Sequence, residues 1–292
     1  MSAAETVTTP PQFSRDNLLK IARALPADVG VIAKLGTMLQ DPNSDLDDLS
    51  ALLRRDVALS TRIVRISNSA VYSGGASRVS TVEDAVGRVG FGEVLKLVGN
   101  ATAARFTELN LDVYGIPGKD LRNNMLYAAL ATEALARPAG IDPRIAYTAG
   151  LLRPLGIMVL DYACRSYPGL KYRYAAGQWP TYAAWEGTTL CLDSCEVSAF
   201  ILEDLGFPED ITSAIRRHYL TRPEDYGCRL ATLLNVANGL AARVSYSFQG
   251  ETHWWELNQT KLDAAGIAID DFEPAIIQIE AAFEAALSAI AA

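Results

Sequence analysis

The sequence predicts an all-α protein, built as a two-lobed helical bundle. Apolar residues recur at helical spacing in nearly every segment of the 292-residue chain. Strict alternation of apolar and polar residues never persists over the length of a strand, so no substantial sheet is expected. Glycine and proline are dense in 110–120, NLDVYGIPGKD, between two long helical blocks. We therefore expect an N-terminal lobe over 14–112 and a C-terminal lobe over 113–292.

The first lobe contains several predicted helices. Segment 45–56 carries four leucines on one stripe, and Ser44 can cap it, with aspartates in its first turn. Segment 58–67 continues the apolar pattern. The sequence Ser-Thr-Val-Glu at 80–83 is typical of a helix start. After two glycines, 93–106 is predicted as a further apolar helix.

The second lobe is predicted to begin with an alanine- and leucine-rich helix over 119–137, which Pro138 ends. An amphipathic helix is predicted in the tail, over 270–290. Between them we expect further helices at about 143–152, 155–166, 179–191, 193–205, 208–219 and 225–246.

Composition excludes several classes of function. No apolar run reaches the roughly 18 residues needed to span a membrane, and the N-terminal segment lacks the pattern of a signal peptide. The four cysteines show no framework spacing, which favours a reduced cytoplasm. A net charge of −8 argues against nucleic-acid binding as a general function. Residues 51–108 nevertheless carry eight cations against five acids, and a mixed, solvated helix face explains that excess better than a binding face does.

Specific motifs in combination give the chain a family resemblance. In the second lobe they are 146–160, AYTAGLLRPLGIMVL, and 207–219, FPEDITSAIRRHY. In the first lobe they are Leu25-Pro26, Asp41-Pro42, Asp56-x-x-Leu59-Ser60, Asn68-Ser69-Ala70 and Val79-Ser80-Thr81-Val82 leading to Gly90. Over roughly residues 14–290 the chain resembles the HDOD domain, a bacterial signalling domain related to the HD phosphohydrolases.

The resemblance implies that a metal-binding site has been lost. In catalytic relatives, His and Asp side chains from several helices converge on one or two metals. Here the His-Asp pair falls on Arg153 and Pro154, an earlier His falls near Asn124, and a later one near Ser194. Arginine has no free lone pair for a metal, and proline has no side-chain donor or acceptor. Catalysis is therefore predicted to be absent, and no cofactor is expected.

His218 is the one histidine left in the motif segments, since the chain has only two histidines, the other being His253. His218 is either a leftover ligand or, the favoured interpretation, a surface or capping histidine at the end of a helix. Cys191 and Cys195 are predicted to share a helix face and to pack in the core.

Candidate contact residues lie in both lobes. Arg62 and Arg65 could present a cationic patch to a partner or a phosphate-bearing ligand. Asn68 and Ser69 could contact a ligand, although satisfying helix-end carbonyls and loop amides is favoured. In 171–185 the large aromatic residues could form a recognition surface or equally cover the core of the second lobe. Those aromatic residues are Tyr172, Tyr174, Trp179, Tyr182 and Trp185.

Three functions remain open. The first is a non-catalytic regulatory protein that acts through protein–protein interaction with unidentified signalling proteins. The alternative is a residual metal-dependent phosphohydrolase in which carboxylates such as Asp161 or Glu186 replace the histidines. The third is a sensor that binds a small anionic ligand at Arg153, against which stands the interpretation that Arg153 pairs with an internal acid. The oligomeric state stays open.

Overall fold

The computed structural model describes residues 13–25, 38, 46–54, 57–68, 72, 77–165 and 173–291. The described residues are overwhelmingly helical, and their one β pairing is an isolated antiparallel bridge between Leu111 and Ile116. The all-α prediction is therefore confirmed. No helix in these ranges combines the length and apolar character needed to cross a membrane.

Fourteen helices and four short 3-10 turns are present in the described ranges. The 3-10 turns are Phe106–Glu108, Pro223–Gly227, Gln249–Trp255 and Ile269–Asp271. The helices are α1 (Arg15–Ala24), α2 (Leu46–Leu53), α3 (Val57–Ser67), α4 (Val82–Val89), α5 (Phe91–Arg105), α6 (Gly118–Ala136), α7 (Pro143–Leu152), α8 (Leu155–Arg165), α9 (Tyr182–Thr189), α10 (Ser194–Asp204), α11 (Glu209–Arg217), α12 (Arg229–Arg243), α13 (Gln259–Ala265) and α14 (Phe272–Ala291).

Local capping explains where several helices begin. Thr81 caps α4 by accepting a hydrogen bond from the backbone N–H of Asp84, and Asp142 caps α7 by accepting one from Arg144. Gly90, at φ 81°, makes the sharp turn between α4 and α5, a conformation that side chains with a Cβ rarely adopt. The predicted capping residue Ser44 lies outside the described residues.

The core is centred on α6, which is buried over most of its length and packs against α7, α12 and α14. Gly150 of α7 permits a close approach to α6, because a Cβ there would overlap the backbone of Ala128 and Ala129. One continuous apolar cluster runs from α1 to α14. The division into lobes at 112/113 stays a prediction.

The segment 110–120 is folded rather than an open linker. Leu111, Tyr114 and Ile116 are buried, and the backbone N–H of Val113 donates a hydrogen bond of 2.7 Å to the carboxylate of Asp161 on α8. This packing ties the connection between α5 and α6 to the helix that follows the Arg153 position.

Candidate functional site

Arg153 and Pro154 form the two-residue junction between α7 and α8, as the sequence pattern predicted. The Arg153 carbonyl accepts a hydrogen bond of 3.1 Å from the hydroxyl of Ser198 on α10, and that hydroxyl accepts one of 2.7 Å from the N–H of Gly156. A Cβ at Gly156 would overlap the carbonyl oxygen of Ser194. The Leu-Gly step after the junction is therefore needed for α8 to pack against the start of α10.

The guanidinium of Arg153 lies in the interior, with its side chain 1 % exposed. Its Nη1 donates to Oε1 of Glu251 at 2.5 Å, and its Nη2 donates to Oδ1 of Asn124 at 2.6 Å. The rings of Phe248 and Trp255 lie 5.5 Å from the guanidinium carbon, at cation–π distance. The protein's own side chains thus surround this position.

Glu251 is the counter-charge of Arg153, and its side chain is fully buried. The hydroxyl of Tyr219 donates a further hydrogen bond of 2.7 Å to the same Oε1 atom. Burial alone would lower the pKa of Arg153, but the surrounding groups, Glu251 foremost, together outweigh that effect, and the pKa is raised. The site therefore holds a permanent cation with its carboxylate partner.

His218 lies beside this ion pair and not at the surface, so the expected surface histidine is wrong, whereas the capping alternative is confirmed because His218 is the C-cap residue of α11. Its Nδ1 is 2.6 Å from the carbonyl of Ile215, which assigns the proton to Nδ1, and its Nε2 is 3.5 Å from Nη1 of Arg153. Burial, and then the charge of Arg153, lower the pKa of His218 to about 3. His218 follows α11 but is carried into the interior, where its ring lies against Tyr219 and Trp255.

The structure brings together some of the positions that the resemblance aligned with metal ligands. Asn124 contacts Arg153 directly, and its amide also donates to the carbonyl of Tyr246 at 2.7 Å. Pro154 is buried in the junction. Ser194 is buried at the first turn of α10, where its backbone N–H donates to Glu186 instead of contacting Arg153.

Asp161 and Glu186, the carboxylates considered as substitute metal ligands, serve other bonds. Asp161 accepts from the N–H of Val113 and pairs with Arg165 at 2.5 Å. Glu186 accepts from the Tyr114 hydroxyl at 2.7 Å and from the backbone N–H at the start of α10 at 2.9 Å. Burial raises the pKa of Glu186 to about 7. Both carboxylates therefore hold the fold together.

The residues at the junction do not fit the metal ion that the HD resemblance implies. Glu251 is already bonded by Arg153 and Tyr219, and the free lone pair of His218 faces the guanidinium. A group of three or more His, Cys, Asp or Glu side chains able to hold a metal is not found in the described part of the chain. No catalytic step through a metal follows from this donor set.

Among the candidate contact residues of the first lobe, Asn68 supports the local backbone and Arg65 lies at the surface. The amide of Asn68 donates to the carbonyls of Val64 and Val79 and accepts from the N–H of Val79, so it joins the end of α3 to the segment before α4. Arg65 is exposed, while Arg62 is half-buried, with a pKa lowered by burial and by Arg65. Ser69 lies outside the described residues.

Tyr182 and Trp185 of the aromatic segment cover the core and do not form an open recognition surface. Tyr182 and Trp185 are each 1 % exposed and pack edge-on against Tyr114, with ring centroids 5.0 Å away. Trp179 is half-buried, and its carbonyl accepts from the Tyr174 hydroxyl at 3.2 Å. The prediction of a recognition surface is therefore wrong for Tyr182 and Trp185. Tyr172 lies outside the described residues.

The prediction for the two cysteines is confirmed for the core packing of Cys195 and wrong for Cys191 and for the shared helix face. Cys195 is buried in α10, but Cys191 is exposed in the preceding turn, with a left-handed φ of 53°. The two thiols therefore do not share a helix face.

Glu251 is the functional residue that the sequence interpretation missed. It lies in the 3-10 turn Gln249–Trp255, 98 positions from Arg153, within the sequence QGETHWW. The one local signal was a lone acid placed between a glycine and two tryptophans. Gly250 is required there because a Cβ would overlap the ring of Tyr182.

Comparison with known proteins supplies the family context. The HDOD domain family model matches residues 25–221. A curated relative, an uncharacterized protein of Treponema pallidum (strain Nichols), is 27 % identical over 242 residues, which are 80 % of this chain and 42 % of the relative. The chain therefore spans less than half the length of that relative.

Similar solved structures share the helical fold at low sequence identity. An HDOD domain protein of unknown function from Geobacter sulfurreducens has a TM-score of 0.63 and 19 % identity, with 94 % of this chain and 99 % of that chain covered. A candidate signal transduction protein from Marinobacter aquaeolei VT8 has a TM-score of 0.64 and 21 % identity, with 99 % and 64 % covered. A candidate phosphohydrolase from Shewanella amazonensis SB2B has a TM-score of 0.61 and 22 % identity, with 92 % and 95 % covered.

Proposed function

The chain belongs to the HDOD domain family, and we propose that it is a non-catalytic signal-transduction protein that acts by binding other proteins. One observation carries this proposal. At the junction that aligns with the metal-binding His-Asp pair of the HD hydrolases, Arg153 forms a buried ion pair with Glu251.

The buried pair opposes metal binding energetically. A metal ion at Oε1 of Glu251 would displace the guanidinium of Arg153, and one at the unbonded Oε2 would lie on the same carboxylate, beside that cation. The displaced guanidinium would then stay in the interior without its counter-charge. Separating a buried pair in this way costs about 3–5 kcal/mol. His218 cannot compensate, because its Nε2 lone pair points toward the same cation.

A residual phosphohydrolase has less support from the contacts at the junction. Asp161 and Glu186 would have to leave the N–H and hydroxyl groups that they accept from. Each vacated donor would be buried and unsatisfied, at a cost of about 1–3 kcal/mol. The similar structure from Shewanella amazonensis SB2B is named as a candidate phosphohydrolase. An activity test must therefore exclude this function for the present chain.

A sensor of small anions at Arg153 also has less support. An incoming anion would compete with the Glu251 carboxylate, which is held by Tyr219 as well as by Arg153. The guanidinium is closed in by aromatic rings and by Asn124. In our proposal, Arg153 therefore stabilises the fold at the position where the catalytic HD relatives bind a metal. Signalling takes place at the protein surface.

The proposal is tested by partner capture combined with an activity assay. Arg65 on α3 is the exposed candidate contact, and Arg243 at the end of α12 is an exposed cation of the same type. Cross-linked complexes would be isolated from the native cell with the wild-type chain, Arg65→Glu and Arg243→Glu, and then identified by mass spectrometry.

We expect a partner that the wild type and Arg243→Glu retain and that Arg65→Glu loses. In parallel, the purified chain is expected to hydrolyse no phosphomonoester, phosphodiester or cyclic dinucleotide with added manganese, iron or zinc. Turnover that Asp161→Asn or Glu186→Gln abolishes would contradict the proposal and establish the phosphohydrolase. Capture of the same proteins by all three chains would refute the assignment of Arg65.

A further inference from the structure

A polar cleft of about 600 Å³ lies on the side of the fold where α5, α6, the start of α7 and α14 meet. Its volume falls within the range of small-molecule sites, roughly 300–1,000 Å³. Three cations and three carboxylates line it, which gives a neutral but strongly charged wall. They are Glu93, Lys96, Glu133, Arg137, Asp142 and Arg144.

Four of these six charges are satisfied by each other. Arg144 and Asp142 form a chelated pair, with a shortest distance of 2.6 Å, at the cap of α7. Lys96 pairs with Glu93 at 2.7 Å, and Glu93 also accepts a hydrogen bond of 2.6 Å from the Tyr72 hydroxyl. These contacts leave little capacity for a ligand at either pair.

The other two charges, Glu133 on α6 and Arg137 at the C-cap of that helix, are incompletely matched. Glu133 is 21 % exposed, and its ion pair with Lys96 is longer, at 3.4 Å. Burial raises the pKa of Glu133, and the charges of Lys96 and Arg137 offset that rise only in part. Arg137 is exposed at the end of the same helix, and no ion pair within the described ranges joins it to an acid.

The spacing of Glu133 and Arg137 defines what could bind both. Residues four apart lie on one helix face with their Cβ atoms about 5–6 Å apart. A carboxylate attracts an ammonium group, and a guanidinium binds a carboxylate through paired hydrogen bonds. An anion alone would meet three carboxylates in this cleft, and a cation alone would meet three basic side chains.

We infer that this cleft binds a small zwitterion, with its ammonium on Glu133 and its carboxylate on Arg137. Free amino acids and short peptides both carry this chemistry. The ligand would lie among α5, α6 and α7. Lys96 forms ion pairs with both Glu133 and Glu93, and Glu93 accepts the hydrogen bond from Tyr72. This inference goes beyond partner binding, since the cleft can bind a ligand whether or not α3 contacts a partner.

The test is a binding titration of the full chain by calorimetry, with two sets of probes at millimolar concentration. One set contains the protein amino acids, and the other contains dipeptides, so that the two sources of the zwitterion are distinguished. Each probe that binds is then compared with its N-acetylated form, which lacks the cation, and with its amide, which lacks the anion.

We expect binding of at least one probe and weakening by about tenfold or more on acetylation or amidation, the effect of losing a charged hydrogen bond. Glu133→Gln and Arg137→Ala should weaken binding to a similar degree. Glu284→Gln and Arg243→Ala, at exposed sites away from the cleft, should leave it unchanged.

Two results would overturn the inference. One is the absence of binding by any probe to a wild-type chain that shows cooperative thermal unfolding. The other is binding that persists in both Glu133→Gln and Arg137→Ala. Neither result would change the outcome of partner capture with Arg65→Glu. The two proposals can therefore be refuted independently.

Discussion

Replacing Arg153 with methionine should destabilise the protein strongly, because the change leaves Glu251 buried without a counter-charge. Arg153 donates to Glu251 at 2.5 Å and to Asn124 at 2.6 Å, and the two charged side chains are 1 % and 0 % exposed. Removing one partner of such a pair costs about 3–5 kcal/mol, and a domain has only about 5–15 kcal/mol of stability in total.

The double variant Arg153→Met with Glu251→Gln is the matched control, because it removes both charges and preserves the volume of both side chains. We expect it to recover most of the loss, since a buried pair replaced as a whole is often neutral or stabilising. Urea unfolding followed by circular dichroism would give the free energy of unfolding for the two single variants and the double variant. A loss below about 1 kcal/mol for Arg153→Met, or a double variant as unstable as the sum of the singles, would refute the buried pair.

Other predictions follow from single side chains. The pKa of Glu186 rises from 4.5 to about 7 on folding, so the wild type should lose about 3 kcal/mol of stability as the pH rises through that interval. Glu186→Gln should remove this loss, and unfolding curves at pH 5 and pH 8 that change equally in both proteins would contradict it. Gly156→Ala should cost at least about 2 kcal/mol in urea unfolding through overlap with Ser194, whereas Gly187→Ala, in open space on α9, should not destabilise; equal costs would be contrary evidence. His218 should remain neutral, with its proton on Nδ1, down to pH 5 in nitrogen NMR spectra, and an imidazolium signal there would disprove its burial beside a cation.

Helix positions could be predicted closely wherever local signals are strong. The predicted helix 143–152 coincides with α7, because the Asp142 cap and a proline at the first helical position fix its start. The predicted helix 179–191 is shorter in the structure, Tyr182–Thr189, because the side chain of Thr181 provides the cap. Cap positions depend on a single side chain, which apolar periodicity does not reveal.

The candidate site could be predicted only as far as the family motifs reached. Asn124 and Arg153 were identified by the surrounding pattern, and the structure places them in contact. Glu251 could not be predicted, because its pairing with Arg153 joins positions 98 residues apart and follows no motif. The surface position predicted for His218 was wrong. Its place at a helix end is a local property, whereas its burial against Trp255 depends on tertiary packing.

The most direct test of the central claim is the metal content of the purified protein, measured by plasma mass spectrometry after expression in medium supplied with iron, manganese and zinc. A junction filled by the Arg153–Glu251 pair predicts substoichiometric metal in the wild type, and the same in Glu251→Gln. Stoichiometric iron, manganese or zinc that survives gel filtration, and that Glu251→Gln releases, would contradict the account.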